Sequence, residues 1–226
     1  MSYDQTLSRV ETYFDKTATR TWERLTSDAP VSRIRETVRR GRDRMRAHML
    51  SRLPEDLRGV RVLDAGCGAG QMTAELAVRG ADVVAVDISP SLVEIARKRL
   101  PEGLGARVQF ASGDMLDPAL GRFDYVLGMD SLIYYNDADI SNALKTLSAR
   151  TNASVVFTVA PRTPLLMAMW RVGKLFPQSD RSPIMVPHSP AGLAAALRKA
   201  QAPGSLHALS RITSGFYISQ AMELAK

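Results

Sequence analysis

At 226 residues and 45% hydrophobic, the chain is long enough to bury the core of one α/β domain with additions. Its single cysteine, Cys67, excludes a disulfide framework and a cysteine-pair metal site, and the lack of an apolar run of roughly 18 residues argues against a membrane span. The net charge of +7 suits nucleic acid, an anionic membrane face or an acidic small substrate, so where the charge lies matters more than its sum. With no charged-then-apolar leader and no internal repeat, one catalytic domain in the cytoplasm is expected.

Asp4 to Thr26 carries Leu7, Val10, Phe14 and Trp22 without glycine or proline, which predicts a helix followed by a less regular turn. Val31 to Leu53 reads as a second helix, with Ile34, Val38, Met45, Met49 and Leu53 on one face and Pro54 helping to end it. Arg33, Arg35, Arg39, Arg40, Arg42, Arg44, Arg46 and Arg52 cover the rest, so much of the excess charge precedes the main domain. These helices are either an amphipathic layer with a solvated basic face or a cover that supplies cations to a substrate carboxylate.

The organising stretch follows at Val62-Leu63-Asp64-Ala65-Gly66-Cys67-Gly68-Ala69-Gly70. An apolar strand runs into glycines at every second position, and Met72, Leu76 and Ala77 then recur at helical spacing. Glycines there let a ligand approach the backbone with no Cβ in the way. A dinucleotide loop has Gly-x-Gly-x-x-Gly, whereas here the spacing is Gly-x-Gly-x-Gly and Asp64 precedes it, where a negative charge repels a pyrophosphate and suits a cationic amino acid. The stretch resembles motif I of the class I S-adenosylmethionine-dependent methyltransferases, whose acid and glycines surround the methionine moiety. Cys67 reads as a small turn residue rather than a catalytic thiol, with no histidine near it in sequence.

Val83 to Val86 form a second apolar strand that ends at Asp87, where doubly wound folds put the acid that holds a ribose diol. Val108-Gln109-Phe110 then leads to Ser112-Gly113-Asp114-Met115, which resembles the adenine-binding segment of the same superfamily: Asp114 would accept from the exocyclic amine, and Met115 would offer its amide and an apolar wall. Strand and helix alternate from Val60 to Asp64, Gly70 to Arg79, Asp82 to Asp87, Ser89 to Leu100, Arg107 to Ala111 and Phe123 to Met129, then Asp137 to Ala149 and Val155 to Val159. Such alternation predicts a parallel sheet with helices on both faces and ligands at the carboxyl ends of the strands.

After the fifth strand the pattern changes. Leu165 to Phe176 is an apolar, methionine-bearing run that predicts an inserted helix, Pro183 to Pro190 a loop, and Ala191 to Ala200 another helix. Leu206 to Ile212 and Phe216 to Met222 are expected to close the sheet as a hairpin around Ser214-Gly215. His188 reads as a cap or surface residue rather than a base. The fold expected is a Rossmann-like class I methyltransferase with a seven-stranded, mostly parallel sheet. It divides into an N-terminal helical cover over 1–58 and a methyltransferase domain over 59–226, with a substrate-covering insertion over 161–190.

Met129 to Tyr135 lies where class I enzymes place the methyl acceptor. It carries neither the Asn/Asp-Pro-Pro-aromatic motif of amino-methylating DNA enzymes nor a Pro-Cys motif, so no nucleic-acid partner is expected. Tyr13-Phe14, Trp22-Glu23-Arg24, the glycine loop, Asp130 to Tyr135, Ala160-Pro161, Phe176-Pro177 and Gly215-Phe216-Tyr217 together resemble the magnesium-protoporphyrin IX O-methyltransferase family of bacteriochlorophyll synthesis, along nearly the whole chain. The resemblance implies methyl transfer from S-adenosylmethionine to one propionate of the magnesium porphyrin, leaving S-adenosylhomocysteine. It implies Asp64, Gly66, Gly68, Asp87, Ile88, Asp114, Met115 and Met129 around the cofactor, and Tyr134 and Thr26 at the catalytic positions. Plant and cyanobacterial members carry His where this chain has Tyr134, and Tyr where it has Thr26. No protein-bound metal is expected, since the magnesium belongs to the substrate. The magnesium chelatase large subunit and a peripheral membrane contact are the further partners implied. A propionate is already ionised at neutral pH and needs no base. The readings that compete are a quinone or phenol O-methyltransferase, an RNA-directed methyltransferase, and a non-catalytic S-adenosylmethionine-binding module.

Overall fold

The computed structural model describes residues 2–27, 30–164, 166–167 and 183–226. Most of the run from Leu165 to Phe176, and with it the expected inserted helix, lies outside the described residues.

The chain opens on helix α1 (Tyr3–Thr12), started by a capping box in which Ser2 and Gln5 satisfy each other's end groups. The expected helix is followed, where a less regular turn was expected, by a turn of π-helix at Tyr13–Ala18 and then by α2 (Thr19–Leu25). Helix α3 (Arg33–Leu50) is capped by Ser32. The alternating core then follows: β1 (Arg61–Ala65), α4 (Gln71–Val78), β2 (Asp82–Asp87), α5 (Pro90–Arg99), β3 (Val108–Ser112), β4 (Phe123–Gly128), α6 (Asp137–Ala149) and β5 (Thr151–Pro161). A two-residue strand, β6 (Pro187–His188), lies inside the segment expected to be a loop; α7 (Pro190–Ala200), β7 (Ser205–Ser214) and β8 (Tyr217–Ala225) complete the chain.

The main sheet runs β3-β2-β1-β4-β5-β8-β7, with β6 paired to the tip of β5. Strands β1 to β5 pair in parallel, while β8 is antiparallel to both β5 and β7. The valine-rich runs Val83 to Val86 and Val155 to Val156 are buried from both sides, as strands covered by helices on both faces must be. Strand order reverses between β1 and β4, which opens a crevice at their carboxyl ends.

Two apolar layers hold the sheet. On one face Met45, Met49 and Leu50 of α3 pack with Leu76 of α4 against Val62 and Val83. On the other, Ile140 and Leu144 of α6 and Leu193 of α7 pack against Leu63, Val126 and Phe157. The basic helix is therefore built into the core by its apolar face. Gly41 lets α3 lie down on the β7–β8 hairpin: a Cβ at that position would stand 2.6 Å from the Tyr217 ring.

Candidate functional site

A cleft opens at the carboxyl ends of the strands, where ligands gather in sheets of this kind. Every residue the sequence assigned to cofactor or catalysis lies on its wall: Thr26, Asp64, Gly66, Gly68, Asp87, Ile88, Asp114, Met115, Met129 and Tyr134. Strand register does this, because Asp64, Asp87, Asp114 and Met129 each sit at or just past the end of β1, β2, β3 and β4.

At the cofactor end, the Asp87 carboxylate spans the loop. Its Oδ2 accepts from the Gly68 amide at 2.8 Å and its Oδ1 from the Ser89 amide at 2.9 Å. Each carboxylate oxygen has a second lone pair, so both remain able to accept a ribose hydroxyl. Gly68 has φ +52, and a Cβ there would meet no atom within 4 Å, so the chain leaves open space over the loop for a ligand to approach. Asp64 is buried, accepts from the Thr73 hydroxyl at 2.5 Å, and is pushed up to about 7, chiefly by burial with Asp87 adding to it. Burial likewise raises Asp87. A cation placed between these acids relieves both, and S-adenosylmethionine carries an ammonium and a sulfonium; the residues present fit it. The same burial and the same acids push the Cys67 thiol up, which keeps it protonated and unreactive.

Asp114 is held from above. Its Oδ1 accepts from the Leu116 amide at 2.9 Å and from the Tyr3 phenol at 2.8 Å, and the Tyr3 ring stacks on Tyr135 with centroids 5.0 Å apart. Farther along, Asp15 accepts from the Ser91 hydroxyl at 2.6 Å, which fastens the π-helical turn to the start of α5. Val10, Phe14, Leu92 and Ile88 fill the space between these two ties. Sequence reasoning missed Tyr3 and Asp15, and it placed Tyr135 in the acceptor segment without its stack on Tyr3.

At the other end of the cleft, Asp130 has a left-handed backbone at φ 58, uncommon for a residue other than glycine. Its carboxylate forms an ion pair with Arg42 of α3 and accepts from Thr158 of β5 at 3.1 Å and from the Tyr217 phenol of β8 at 3.2 Å. Tyr134 leans on Phe14 with centroids 6.2 Å apart, and burial with the nearby Asp130 raises its phenol, so it stays neutral and able to donate. The Thr26 hydroxyl accepts from Arg99 at 2.9 Å and donates to the Glu23 carbonyl at 3.3 Å, so it also ties the second helix to α5.

Two readings need correcting. His188 is not on the surface: it is buried, with Nδ1 2.5 Å from the Asp137 carboxylate and Nε2 enclosed with no hydrogen-bond partner among the described residues, because the β6–β5 pairing draws it under the start of α6. The arginines of α3 are not one basic face offered to a ligand. Arg39, Arg42 and Arg46 turn inward to the Leu25 carbonyl, Asp130 and Glu75, whereas Arg33, Arg35, Arg40 and Arg44 point to solvent; Arg52, just past the helix and exposed, pairs with Glu223. Of the inward set, Arg42 and Arg46 line the cleft.

Among the described residues no group of three or more His, Cys, Asp and Glu is placed to hold a metal ion, and no helix is long and apolar enough to cross a membrane.

Comparison with known proteins adds three findings. Residues 128–226 match the family described as magnesium-protoporphyrin IX methyltransferase C-terminus, and residues 62–153 match a general methyltransferase domain. The chain is 59% identical over 224 residues to magnesium-protoporphyrin O-methyltransferase of Rhodobacter capsulatus, covering 98% of this chain and 97% of the relative, and 31% identical to the chloroplastic magnesium protoporphyrin IX methyltransferase of Arabidopsis thaliana, covering 95% and 69%. A crystal structure of magnesium protoporphyrin IX methyltransferase from Synechocystis PCC 6803, with bound S-adenosylhomocysteine, superposes with a TM-score of 0.80 at 26% identity, covering 97% of this chain and 99% of that one.

Proposed function

The chain belongs to the magnesium-protoporphyrin O-methyltransferase family, and from that premise we propose that it moves the methyl group of S-adenosylmethionine onto a propionate carboxylate of magnesium protoporphyrin IX. The products are the monomethyl ester and S-adenosylhomocysteine, a step of bacteriochlorophyll synthesis. The observation that carries this is the extent of the likeness, which runs through the N-terminal helices and the last two strands as well as the common methyltransferase core.

S-adenosylmethionine, when bound, supplies a methyl group on a positively charged sulfur. The chain's own residues have three tasks. Asp64 receives the ammonium, Asp87 the ribose diol and Asp114 the adenine amine, with Ile88, Met115 and Met129 as apolar walls and Gly66 and Gly68 as the open floor. Tyr134 donates its phenol to the acceptor carboxylate or to a ligand of the substrate's magnesium, and Thr26 braces the second helix beside it. The helices over 1–58 act as a cover on the methyltransferase domain of 59–226, with the insertion of 161–190 against the porphyrin, and together they exclude water from the reacting atoms. No proton has to be removed, since the propionate is already a carboxylate. Alignment of oxygen, methyl carbon and sulfur is what the protein contributes.

The porphyrin is a poorly soluble substrate, and a peripheral membrane contact belongs to the same reading. Its support is the exposure of the large apolar side chains Ile34 and Phe216, 55% and 72%, on a chain whose helix α3 also presents Arg33, Arg35, Arg40 and Arg44 to solvent. The large subunit of magnesium chelatase, implied by the family resemblance, is the proposed donor of the porphyrin. Fluorescence titration with magnesium protoporphyrin in the presence of S-adenosylhomocysteine tests the substrate assignment: saturable binding that metal-free, uncharged aromatic competitors fail to displace is expected, and the absence of binding contradicts it.

A further inference from the structure

The reaction asks the protein for alignment rather than proton transfer, so whatever fixes the orientation of Tyr134 matters as much as Tyr134 itself. Among the described residues the Tyr134 phenol has no hydrogen-bond partner, and its ring rests on apolar neighbours such as Phe14. Its aim is therefore set by the backbone on either side. We propose that His188 and Asp137, outside the cleft, are a positioning pair that locks the turn carrying Tyr134. The inference rests on the reading of Tyr134 as the residue that meets the acceptor carboxylate.

That turn joins β4 to α6, and three ties hold it to β5 and to the segment that pairs with the tip of β5. At its start the Asp130 amide donates to the Thr158 hydroxyl of β5 at 2.8 Å. One residue before Tyr134, the Ile133 carbonyl accepts from the Val186 amide at 2.8 Å. Three residues after Tyr134, the Asp137 carboxylate accepts from His188 Nδ1 at 2.5 Å. His188 is itself fixed by the main chain: its carbonyl accepts from the Arg162 amide at 2.8 Å, and it stands in register with Pro161 on β5. Tyr134 thus sits between two ties, one of backbone and one of side chain, that lead to the same short segment.

The choice of histidine at this place goes beyond filling space. Its ring is buried, and Nε2 has no hydrogen-bond partner among the described residues. An enclosed polar atom left unpaired lowers stability, and an apolar side chain would avoid that loss. What the imidazole adds is a directed bond from a buried, backbone-locked group to the first turn of α6. Asp137 is accommodated for the same bond: a Cβ at Gly192 would stand 3.3 Å from its Oδ2, so a glycine near the start of α7 leaves the carboxylate room. Ring and carboxylate together join α6, β6 and α7 where the turn ends. Between these ties the turn is also held from the N-terminal side, where Tyr135 stacks on Tyr3 of α1. Neither His188 nor Asp137 lines the cleft, so the pair acts through Tyr134 and not on a ligand.

A double-mutant cycle between positions 188 and 134 tests this, read as kcat for porphyrin ester formation alongside affinity for S-adenosylhomocysteine. His188→Ala is expected to lower kcat about tenfold, within the loss that a misplaced aligning group causes, with that affinity unchanged. His188→Asn, whose side-chain amide nitrogen stands where Nδ1 stands and can donate to Asp137, is expected to restore kcat to within about twofold. Combined with Tyr134→Phe, His188→Ala is expected to cost less than about twofold more, because no phenol is left to aim.

A pair that only stabilised the fold would give the same loss in both backgrounds, and that result overturns the proposal. So does wild-type kcat in His188→Ala or in Tyr134→Phe, or a His188→Asn protein as slow as His188→Ala. Should His188→Ala fail to fold, Asp137→Ala carries the same cycle, since the Asp137 side chain is half exposed. A wild type that binds S-adenosylhomocysteine yet forms no porphyrin ester overturns the substrate reading, and the proposal with it.

Discussion

The Tyr3 phenol donates to the carboxylate of Asp114, 111 residues later in the chain, at 2.8 Å, and its ring stacks on Tyr135. The first helix thereby fixes the acid assigned to the adenine amine, and one carboxylate oxygen is taken up by the protein while the other is left to the ligand. Tyr3→Phe keeps the stack and removes the hydrogen bond. Since the Leu116 amide still holds Asp114, the expected loss of cofactor affinity is about 1 kcal/mol, at the low end for a bond to a charged group. Calorimetry on the purified variant checks this, and unchanged affinity would detach the first helix from the adenine site.

Asp87 bridges the glycine loop and the start of α5 through the Gly68 and Ser89 amides, besides facing the cleft. Asp87→Ala is expected to weaken S-adenosylmethionine binding by about 1.5–3 kcal/mol. Asp87→Asn, which can still accept but carries no charge, is expected to lose less. Equal affinity in a folded Asp87→Ala protein would remove this residue from the site.

Burial pushes Asp64 up to about 7 in the folded protein, whereas in the unfolded chain an aspartate titrates near about 3.9. The folded protein without ligand therefore binds this proton more tightly than the unfolded chain. Its contribution to stability is full below about pH 4 and is lost as pH rises to about 7. Cofactor binding runs the opposite way, because the ammonium is attracted to the ionised acid. Affinity for S-adenosylhomocysteine is expected to increase between pH 6 and 8 and then level off, and Asp64→Asn to flatten that profile. A pH-independent affinity in the wild type would contradict the assignment of Asp64 to the ammonium.

Much of this site was legible from single residues and spacing, because its parts are local: an apolar strand, a glycine loop, an acid at a strand end. What was not legible depends on distant partners. Nothing around Asp130 in sequence announces a left-handed backbone, which exists because Arg42, Thr158 and Tyr217 converge on it from three elements. The segment after the first helix reads as a less regular turn but is a π-helical turn at Tyr13–Ala18 followed by a further helix, and the π-helical turn coincides with the point where Asp15 reaches Ser91. His188 looked like a cap because Ser189 and Pro190 beside it do start a helix, yet the pairing of β6 with β5 buries it. The arginines of α3 could not be sorted into inward and outward sets without the positions of their acidic partners.

Tyr134 reaches the cleft as a neutral phenol, raised by burial and by Asp130, so it can donate a hydrogen bond and does not serve as a base near neutral pH. Tyr134→Phe is expected to reduce kcat about tenfold, or 1.4 kcal/mol of alignment, rather than abolish it. With cofactor saturating, kcat is expected to be flat from about pH 6.5 upward, since the nucleophile is already ionised. A rising limb with a midpoint near neutrality under saturating conditions would instead require a general base.

The central claim concerns where the methyl group goes. Incubation of the purified protein with methyl-labelled S-adenosylmethionine and a mixture of magnesium protoporphyrin IX, a quinol and RNA, followed by mass spectrometry of each, tests it most directly. The account predicts label in the porphyrin alone, as a monomethyl ester. Label in the quinol or RNA with none in the porphyrin would contradict it.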